Sequence, residues 1–437
     1  MKEIKVGLIG FGTVGTGVVK ILQKNSVLIE KRMGAKIVLK RIADIDLEKD
    51  RGVKLKPGVL TRNVEEVIND HEIDIVMELM GGIEPARTYI LKAIQNKKHI
   101  VTANKALLAL HGGEIFEDAY RYGIEVNFEG SVGGGIPLIR SIKEGLVANR
   151  IQSIFGILNG TSNYILSKMT NEGRSFKEVL KEAQEKGYAE ADPTYDVEGI
   201  DTAHKLAILI RLTFGTPVQF KEIFIGGISE ITPLDIQFSR EFGYRIKLLA
   251  IAKIEQGKIE ARVHPTMIPQ GHLLSTVGGV FNAIYIKGDA VGPTLFYGQG
   301  AGQMPTGSAV VSDLVELGRN LLVRANGHRV PSLSYQKCAI EKIPLKKIEE
   351  VVMPFYMRFS ALDRPGVLSK ISGILGKHDI SIASVIQKGR RIKGGVPIVM
   401  MTHEAKEKNV AQALKEINRL DMILGKTMYI RVENELE

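Results

Sequence analysis

One segment of the sequence carries a carboxylate and a lysine at a spacing suited to proton transfer. Asp201 and Lys205 are four residues apart, so they share one face of a helix. The dipole of that helix favours an anion in its first turn, where Asp201 falls. Apolar residues occupy 206–210, so we expect the Lys205 ammonium to point into a pocket. A desolvated lysine beside a carboxylate can donate a proton to a developing alkoxide, whereas the alternative is a surface ion pair.

Lys105 is a second lysine at a position typical of ligand binding. It follows Ile100-Val101-Thr102, which we predict to be a parallel strand, and open α/β sheets bind ligands at the carboxyl ends of their strands. The dipole of the helix predicted to begin there disfavours a cation. Because a cation is disfavoured at this position, we favour a functional role for Lys105 over that of an ordinary helix lysine.

A glycine pattern near the start of the chain is typical of dinucleotide binding. Gly10, Gly12 and Gly15 form G-x-G-x-x-G between a predicted strand, 4–9, and a predicted helix. The first glycine permits a tight turn, the second lets backbone N–H groups approach a pyrophosphate, and the third allows close helix–strand packing. The helix N-terminus adds partial positive charge. The residues predicted to form this loop are Gly10, Phe11, Gly12, Thr13, Val14 and Gly15.

Charges near the end of the second predicted strand leave the choice between NAD and NADP open. Asp44 could bind a ribose 2′-hydroxyl, which favours NAD. Arg41 and Lys56 could meet a 2′-phosphate, which favours NADP. Each of these residues could also be a solvent-exposed charge without a ligand.

Composition and motifs exclude several classes of protein. The 437 residues are 44% hydrophobic and 25% charged, which is ordinary for a globular chain and unlike a disordered or collagenous one. The single cysteine, Cys338, excludes an intrachain disulfide and a multi-thiolate metal site. The sequence lacks a G-x-S-x-G elbow, which argues against a nucleophilic triad. Cys338 is also distant in sequence from the glycine pattern, which argues against thiohemiacetal chemistry.

Charge and hydropathy predict a cytoplasmic protein without nucleic-acid or membrane partners. The net charge is +10, and its densest run, Lys388–Lys393, is broken by glycine, which favours a solvated turn over a polyanion site. No apolar stretch approaches the roughly 18 residues of a spanning helix. Charged residues interrupt the first ten residues, so we expect no signal peptide.

The order of predicted elements indicates an α/β protein of three parts. Strands first alternate with helices, which implies a Rossmann-like parallel-sheet nucleotide-binding domain. The middle part of the chain is predicted to be an α+β catalytic and dimerisation domain, and the C-terminal part a ferredoxin-like βαββαβ domain. The predicted boundaries are 1–130 for the first, with 303–340 packing back on it, 131–302 for the second, 341–353 for a linker and 354–437 for the third. Further predicted elements include strands at 151–158, 220–228, 244–254 and 281–287 and a helix at 139–146.

Several stretches together resemble the homoserine dehydrogenase family. They are Ile157-Leu158-Asn159-Gly160-Thr161-Ser162-Asn163-Tyr164-Ile165-Leu166, Gly187-Tyr188-Ala189-Glu190-Ala191-Asp192-Pro193 and Asp201 through Lys205. The resemblance covers roughly residues 1–340. The C-terminal part resembles an ACT domain, a regulatory amino-acid-binding module, with Asp363-Arg364-Pro365-Gly366 in its first strand–helix turn.

This resemblance implies reversible NAD(P)-dependent conversion of aspartate 4-semialdehyde to homoserine, in the synthesis of threonine, methionine and isoleucine. It implies that Lys205 is the proton donor or acceptor, that Lys105 is a second catalytic lysine and that Asp201 supports Lys205. The implied substrate residues are Glu190, which would hold the amino group, and Asp196, Tyr188, Gly160 and Thr161, which would line the pocket. The implied cofactor contacts beyond the glycine loop are Arg41, Lys105 and Gly302. The implied ligands of a sodium or potassium ion are mostly backbone carbonyls, at Glu129, Val132, Gly134 and Ile136.

The resemblance also implies a homo-oligomer, a dimer or tetramer, with threonine feedback through pairing of ACT domains. Deleting residues from about 350 onward would then leave turnover and abolish threonine sensitivity. An ACT domain that only stabilises an oligomer is an alternative. Two further alternatives are a nucleotide- and amino-acid-binding sensor without turnover, and a reductase of another amino-acid aldehyde or imine. The intact residues Lys105, Glu190, Asp201 and Lys205 argue against the sensor.

Overall fold

The structure is a computed structural model that describes residues 2–323, 330–387, 395–434 and 436. The basic run Lys388–Lys393, predicted to form a turn, lies outside these residues. Among the described residues, no helix is both long and apolar enough to cross a membrane.

Helices and strands alternate along most of the described chain. The strands are β1 (Glu3–Ile9), β2 (Lys36–Ala43), β3 (Leu60–Thr61), β4 (Ile75–Glu78), β5 (His99–Thr102), β6 (Val126–Asn127), β7 (Ile151–Ile157), β8 (Phe224–Ile225), β9 (Tyr244–Glu255), β10 (Lys258–Pro269), β11 (Phe281–Gly288), β12 (Gly292–Gln299), β13 (Leu345–Lys346), β14 (Val352–Met353), β15 (Phe355–Ala361), β16 (Ile382–Gln387), β17 (Val396–Thr402), β18 (Ala405–Lys406) and β19 (Met428–Val432). The α-helices are α1 (Thr13–Lys24), α2 (Ser26–Met33), α3 (Glu65–Ile68), α4 (Ala86–Gln95), α5 (Lys105–Tyr122), α6 (Leu138–Arg140), α7 (Gly160–Glu172), α8 (Phe176–Glu185), α9 (Thr194–Val197), α10 (Ile200–Phe214), α11 (Pro233–Glu241), α12 (Leu273–Thr276), α13 (Gln303–Val323), α14 (Val367–Lys377) and α15 (Glu407–Ile417).

The first of two compact units contains the parallel sheet that the sequence predicts. This unit comprises Met1–Gln152, Ala203–Phe220 and Phe281–Ile343. Its sheet has the strand order β3-β2-β1-β4-β5-β6, and neighbouring strands in this order pair in parallel. Residues on β1, β4 and β5 are almost entirely buried, as expected for a sheet covered on both faces. The α/β prediction with a Rossmann-like sheet is confirmed.

Two glycines allow the backbones of α1 and α13 to come into direct contact. A Cβ added to Gly17 would lie 2.0 Å from the carbonyl oxygen of Gln303, and one added to Gly307 would lie 2.9 Å from the carbonyl carbon of Gly17. Such distances require a shift of the backbone, so neither position accepts a side chain in this packing. The contact holds the C-terminal part of this unit against the helix that follows the glycine loop.

The second unit is built on one sheet that continues into the ACT region. The unit comprises Ser153–Thr202, Lys221–Val280 and Pro344–Glu437, and its strands follow the order β7-β9-β10-β19-β15-β17-β16. Strand β19 pairs in parallel with β10, with Thr266 opposite Arg431 and Met267 opposite Val432. The C-terminal region therefore shares its last strand with the neighbouring sheet.

Buried charges reinforce this shared sheet. Arg262 on β10 is 2% exposed, and it donates to Glu260 at 2.7 Å and to Glu433 at 2.7 Å. A third nitrogen of Arg262 lies 2.8 Å from His264 Nε2. Lys253 also donates to Glu433, at 2.5 Å. Because buried charges destabilise a fold unless they are paired, this network requires the residues after β19 to stay in place.

A second buried contact joins helix α11 to strand β15. Asp235 is fully buried and accepts hydrogen bonds from Arg358 Nε at 2.7 Å, Arg358 Nη2 at 3.0 Å and the Tyr356 hydroxyl at 3.1 Å. Asp235 also closes the capping box at the start of α11 with Thr232. One carboxylate thus both caps a helix and anchors the first strand of the ACT region.

Two predicted elements differ from the structure. The strand predicted at 220–228 is a 3-10 turn, Phe220–Glu222, followed by the two-residue strand β8, because Gly226 and Gly227 follow at once. The helix predicted at 139–146 is the short α6 followed by a π-helical turn, Ser141–Gly145. The long strands β10 and β12 were not predicted, since charged residues and prolines interrupt the apolar pattern of β10, and glycines and a proline that of β12.

Candidate active site

The glycine loop after β1 has the geometry of a phosphate-binding turn. Gly10 has φ +94°, and a Cβ there would lie 2.6 Å from the backbone of Met80. A Cβ on Gly15 would lie 2.4 Å from the carbonyl oxygen of Gly10, whereas one on Gly12 would meet nothing within 4 Å. Helix α1 starts at Thr13 without a side-chain cap. The backbone N–H groups of its first turn, which includes Val14, are therefore not capped by a side chain, and the open side of Gly12 allows a pyrophosphate to approach.

Asp44 is held by the loop itself. Its carboxylate accepts the N–H of Phe11 at 2.5 Å and lies 3.1 Å from Arg51 Nη2. The guanidinium of Arg51 stacks over the Phe11 ring at 4.7 Å. Arg41 donates to the carbonyl of Gly58 at 2.5 Å. With the N–H of Asp46, which donates to it at 2.9 Å, the Asp44 carboxylate thus already has three partners. Arg51 is a basic residue at this site that the sequence interpretation missed.

Glu78 joins the loop after β4 to the start of α5. Its buried carboxylate accepts from the Thr102 hydroxyl at 2.8 Å and from the N–H of Met80 at 3.0 Å. Asn104, the N-cap of α5, accepts from the N–H of Leu107. Burial raises the pKa of Glu78, and these donors oppose that rise. Glu78 therefore fixes the end of β5, just before α5 begins at the half-buried Lys105. In the sequence, the acidic residue within the apolar run 73–80 was the indication that Glu78 has such a role.

The loop at 129–136 can offer backbone oxygens to a cation. Gly133 and Gly134 have φ +75° and +57°, and a Cβ on Gly134 would lie 2.5 Å from the carbonyl of Gly300, close to Gly302. The Glu129 side chain accepts two backbone N–H groups, of Ile139 at 2.8 Å and Arg140 at 2.9 Å.

The carbonyl of Ile136, one of the four predicted ligands, already accepts from the N–H of Leu138 at 2.8 Å, which leaves it one lone pair. The carboxylate of Glu129 is likewise occupied by the two N–H groups. Main-chain oxygens, including that of Val132, are among the ligands that this loop can offer a cation.

In the second unit, one amide holds two acidic residues together. Asn159 Nδ2 lies 2.7 Å from Asp196 Oδ1 and 2.8 Å from Asp201 Oδ2. Asn159 also caps α7 by accepting the N–H of Ser162 at 2.8 Å. The Ser162 hydroxyl in turn donates to the carbonyl of Asp196. The segment predicted to bind substrate is thus pinned to the start of α7.

Other predicted substrate residues surround the same helix start. The Thr161 hydroxyl donates to the carbonyl of Tyr188 at 2.6 Å, and a Cβ on Gly160 would lie 2.8 Å from the carbonyl of Val280. The side chain of Tyr188 is exposed, and Glu190 is exposed as well. The structure therefore brings Thr161 and Tyr188 into contact, and leaves the Glu190 side chain open to a ligand or to solvent.

Asp201 and Lys205 are both buried on helix α10, at 5% and 6% exposure. The alternative of a surface ion pair is thus excluded for these two residues. A buried lysine one turn after a buried carboxylate can hold or release a proton away from bulk water. Within the second unit, the Asn159 amide holds Asp201 next to Asp196.

A buried lysine on β9 escaped the sequence interpretation. Lys247 donates to the Asn163 side-chain oxygen at 3.1 Å and to the carbonyl of Val277 at 2.5 Å. Asn163 also donates to the carbonyl of Gly279 at 3.0 Å. Burial, and after it the nearby charge of Arg245, lowers the pKa of Lys247 to about 8. Its position directly before the apolar run 248–252 was the available signal.

Lys247 predicts an alkaline rise in stability. Above about pH 8 the folded state loses this proton, whereas an unfolded lysine keeps it to about pH 10.4. The unfolded state then binds more protons, so the contribution of Lys247 to the free energy of unfolding rises with pH, by about 3 kcal/mol at most. We expect urea unfolding of the wild type and of Lys247→Met to diverge between these pH values. Curves that stay parallel would contradict this assignment.

Comparisons with known proteins agree with this geometry. Family models match the NAD-binding domain of homoserine dehydrogenase at residues 10–129, homoserine dehydrogenase at 137–315 and the ACT domain at 355–421. A homoserine dehydrogenase of Neisseria gonorrhoeae is 44% identical over 99% of this chain and 99% of its own.

Solved structures give the same result. A crystal structure of a homoserine dehydrogenase from Thiobacillus denitrificans has a TM-score of 0.94 at 50% identity and covers 100% of this chain and 99% of its own. A hyperthermophilic archaeal homoserine dehydrogenase mutant in complex with NADPH has a TM-score of 0.62 at 25% identity and covers 75% of this chain and 100% of its own.

The glycine loop, the parallel sheet and these matches define an NAD(P)-dependent oxidoreductase that acts on a small molecule and carries an ACT domain. The chain belongs to the homoserine dehydrogenase family.

Proposed function

We propose that this protein catalyses the reversible conversion of L-aspartate 4-semialdehyde to L-homoserine with NAD or NADP, in the synthesis of threonine, methionine and isoleucine. The observation that carries this proposal is the buried pair Asp201 and Lys205 on one helix, with Asp201 tied through Asn159 to Asp196. Membership of the family supports the choice of substrate.

Lys205 is the general acid of this mechanism. When bound, the nicotinamide supplies the hydride to the aldehyde carbon in the reductive direction. The carbonyl oxygen then gains negative charge, and the Lys205 ammonium donates the proton that it needs. Asp201 keeps Lys205 protonated before transfer, since a nearby carboxylate favours the charged form of a lysine. In oxidation, neutral Lys205 accepts the hydroxyl proton. Lys105 serves as the second catalytic lysine.

The substrate carries an ammonium and a carboxylate, so its site needs both signs of charge. We assign Glu190 to the ammonium, and Asp196, Tyr188, Gly160 and Thr161 to the walls of the pocket. The open side chain of Glu190 suits a role in which the ligand supplies its partner. We also propose 1–130 with 303–340 as the cofactor domain, 131–302 as the catalytic and dimerisation domain, 341–353 as the linker and 354–437 as the ACT domain.

The cofactor loop favours neither dinucleotide outright. Asp44 would have to exchange Arg51 for a ribose hydroxyl to favour NAD, whereas Arg41 and Arg51 together suit the 2′-phosphate of NADP. The NADPH bound to the archaeal relative supports the second choice. We further propose that the backbone carbonyls of Glu129, Val132, Gly134 and Ile136 hold a sodium or potassium ion.

We propose that the protein works in the cytoplasm as a dimer or tetramer and that threonine inhibits it through the ACT domain. The ACT match supports an amino-acid effector. An ACT domain that only stabilises the oligomer, a sensor without turnover and a reductase of another amino-acid aldehyde or imine are the alternatives.

The test is nicotinamide absorbance with purified protein, L-homoserine and either NAD or NADP. We expect one cofactor to be reduced. Preference for NAD would assign Asp44 to the ribose hydroxyl, and preference for NADP would assign Arg41 and Arg51 to the 2′-phosphate. If neither cofactor is reduced although the dinucleotide binds, the proposed substrate is wrong and the sensor or another aldehyde substrate replaces it.

A further inference from the structure

A cavity of about 260 Å³ lies within the second unit, where the ACT region meets the strands of the shared sheet. One wall comes from Glu198 and the loop 226–230, and the other from residues 426–431 of the ACT region. Pockets for drug-sized ligands usually measure about 300–1,000 Å³. This cavity therefore suits a smaller molecule, of the size of a free amino acid.

Opposite charges line this cavity. Glu198 lies on one side, where the Ser229 hydroxyl donates to its Oε1 at 2.7 Å. Arg431 lies on the other side and is 7% exposed. At the rim, the exposed Lys426 and Glu230 form an ion pair at 3.2 Å. A ligand with one cationic and one anionic group can thus find a partner for each inside one small space.

Arg431 is held rigidly for anion binding. Its Nε and Nη2 donate to the two oxygens of Glu407 at 2.8 and 2.6 Å, and its guanidinium stacks on Phe224 at 4.5 Å and Tyr429 at 5.3 Å. Among the residues that the structure describes, its third nitrogen, Nη1, makes no hydrogen bond. This nitrogen is left to donate to a ligand or to water.

The buried histidine of this cavity adds no positive charge. His264 Nε2 lies 2.8 Å from Arg262 Nη1, which can only donate, so the ring proton resides on Nδ1 and points to the carbonyl of Pro265. Burial and the charges of Arg431 and Arg262 lower its pKa well below the usual value. The cationic groups that face a ligand are therefore Arg431 and Lys426.

We propose that this cavity binds a small free α-amino acid as its zwitterion. The carboxylate would bind Arg431 and Lys426, and the ammonium would bind Glu198. The site is distinct from the strand–helix turn Asp363–Gly366 of the ACT region. It rests on the proposed regulation by an amino acid and gives that regulation a location.

The cavity is connected to the segment proposed to bind substrate. Glu198 follows Asp196 by two residues, and the N–H of Ile228 donates to the carbonyl of Val197 at 2.8 Å. A Cβ on Gly199, which has φ +83°, would lie 3.3 Å from the carbonyl of Gly226. A ligand that draws Glu198 away from Ser229 would therefore strain the backbone that carries Asp196 and leads into Asp201.

Isothermal titration of the full-length protein with L-threonine, L-methionine and L-isoleucine as probes tests the site. We expect at least one to bind, and succinate, which lacks the ammonium, not to bind. Glu198→Gln and Lys426→Ala should each weaken that binding at least tenfold. Lys415→Ala removes an exposed lysine of the same region and should leave the affinity unchanged. Melting curves confirm that each variant is folded.

Two results would overturn the proposal. One is that none of the three amino acids binds the folded wild type. The other is that Asp363→Ala abolishes binding while Glu198→Gln and Lys426→Ala retain it, which would place the ligand at the strand–helix turn. Homoserine oxidation is measured separately without added amino acid, so loss of the proposed reaction would not be mistaken for loss of this site.

Discussion

Replacing Lys205 by alanine is expected to lower kcat by roughly 10²–10⁴-fold, the usual contribution of a positioned general acid. Lys205 is 6% exposed on α10, one turn after Asp201, so bulk water is poorly placed to supply the proton instead. Because the lysine acts on the developing alkoxide, the loss should fall on kcat and on kcat/KM together.

The measurement is the steady-state rate of homoserine oxidation over a range of pH, for the wild type and Lys205→Ala. Lys221→Ala is the matched control, since Lys221 is exposed and lies outside the helix, and its rate should stay near that of the wild type. Titration of the dinucleotide should give similar affinities for all three proteins. A Lys205→Ala rate within a few fold of the wild type would assign the proton transfer to Lys105 or to water.

Replacing Arg358 by alanine is expected to lower the free energy of unfolding by about 3–5 kcal/mol, because it leaves a buried charge unpaired. The charge is that of Asp235, which is fully buried and receives two hydrogen bonds from Arg358. Tyr356 and Thr232 would remain as donors, but neither carries a positive charge. Urea unfolding of the full-length protein measures the loss.

Arg364→Ala is the control within the same region, because Arg364 pairs with Asp421 at the surface and exposed pairs contribute little. Its unfolding curve should match that of the wild type. The double variant Asp235→Asn with Arg358→Ala should be less destabilised than the sum of the two single variants, since each single change leaves one partner buried without the other. Additive losses would show that the pair is not the source of the effect.

The same contacts change what a deletion of the ACT region would measure. The sequence suggested that deletion from about residue 350 would leave turnover intact. In the structure, such a deletion removes β19 from the edge of β10, and it removes Glu433 from Arg262 and Arg358 from Asp235. We therefore expect the truncated chain to lose stability before it reports on regulation.

Local sequence patterns predicted the parts of the fold and site that depend on neighbouring residues. The glycine loop is such a case, because Gly10, Gly12 and Gly15 lie in one strand–turn–helix and Gly15 packs against the carbonyl of Gly10. The pairing of Asp201 with Lys205 on one helix is another, since helical spacing is a short-range property. Both are found in the structure as expected.

Contacts between distant segments escaped prediction. Asp235 and Arg358 are 123 residues apart, and nothing in the sequence around either one indicates its partner. The pairing of β10 with β19 and the two carboxylates held by Asn159 are of the same kind. Such contacts are set by how strands and helices come together, which a single sequence read by periodicity does not specify.

The parallel pairing of β10 with β19 also bears on how such regulatory modules are exchanged between enzymes. A module joined only by a linker can be replaced by any other that folds, whereas here the incoming module must supply a strand for β10 and an acid for Arg262. A replacement module, whether introduced by recombination or by design, therefore has to be joined within the sheet rather than at the loop before residue 354. The segment that has to be exchanged as one piece is therefore larger than the ACT domain.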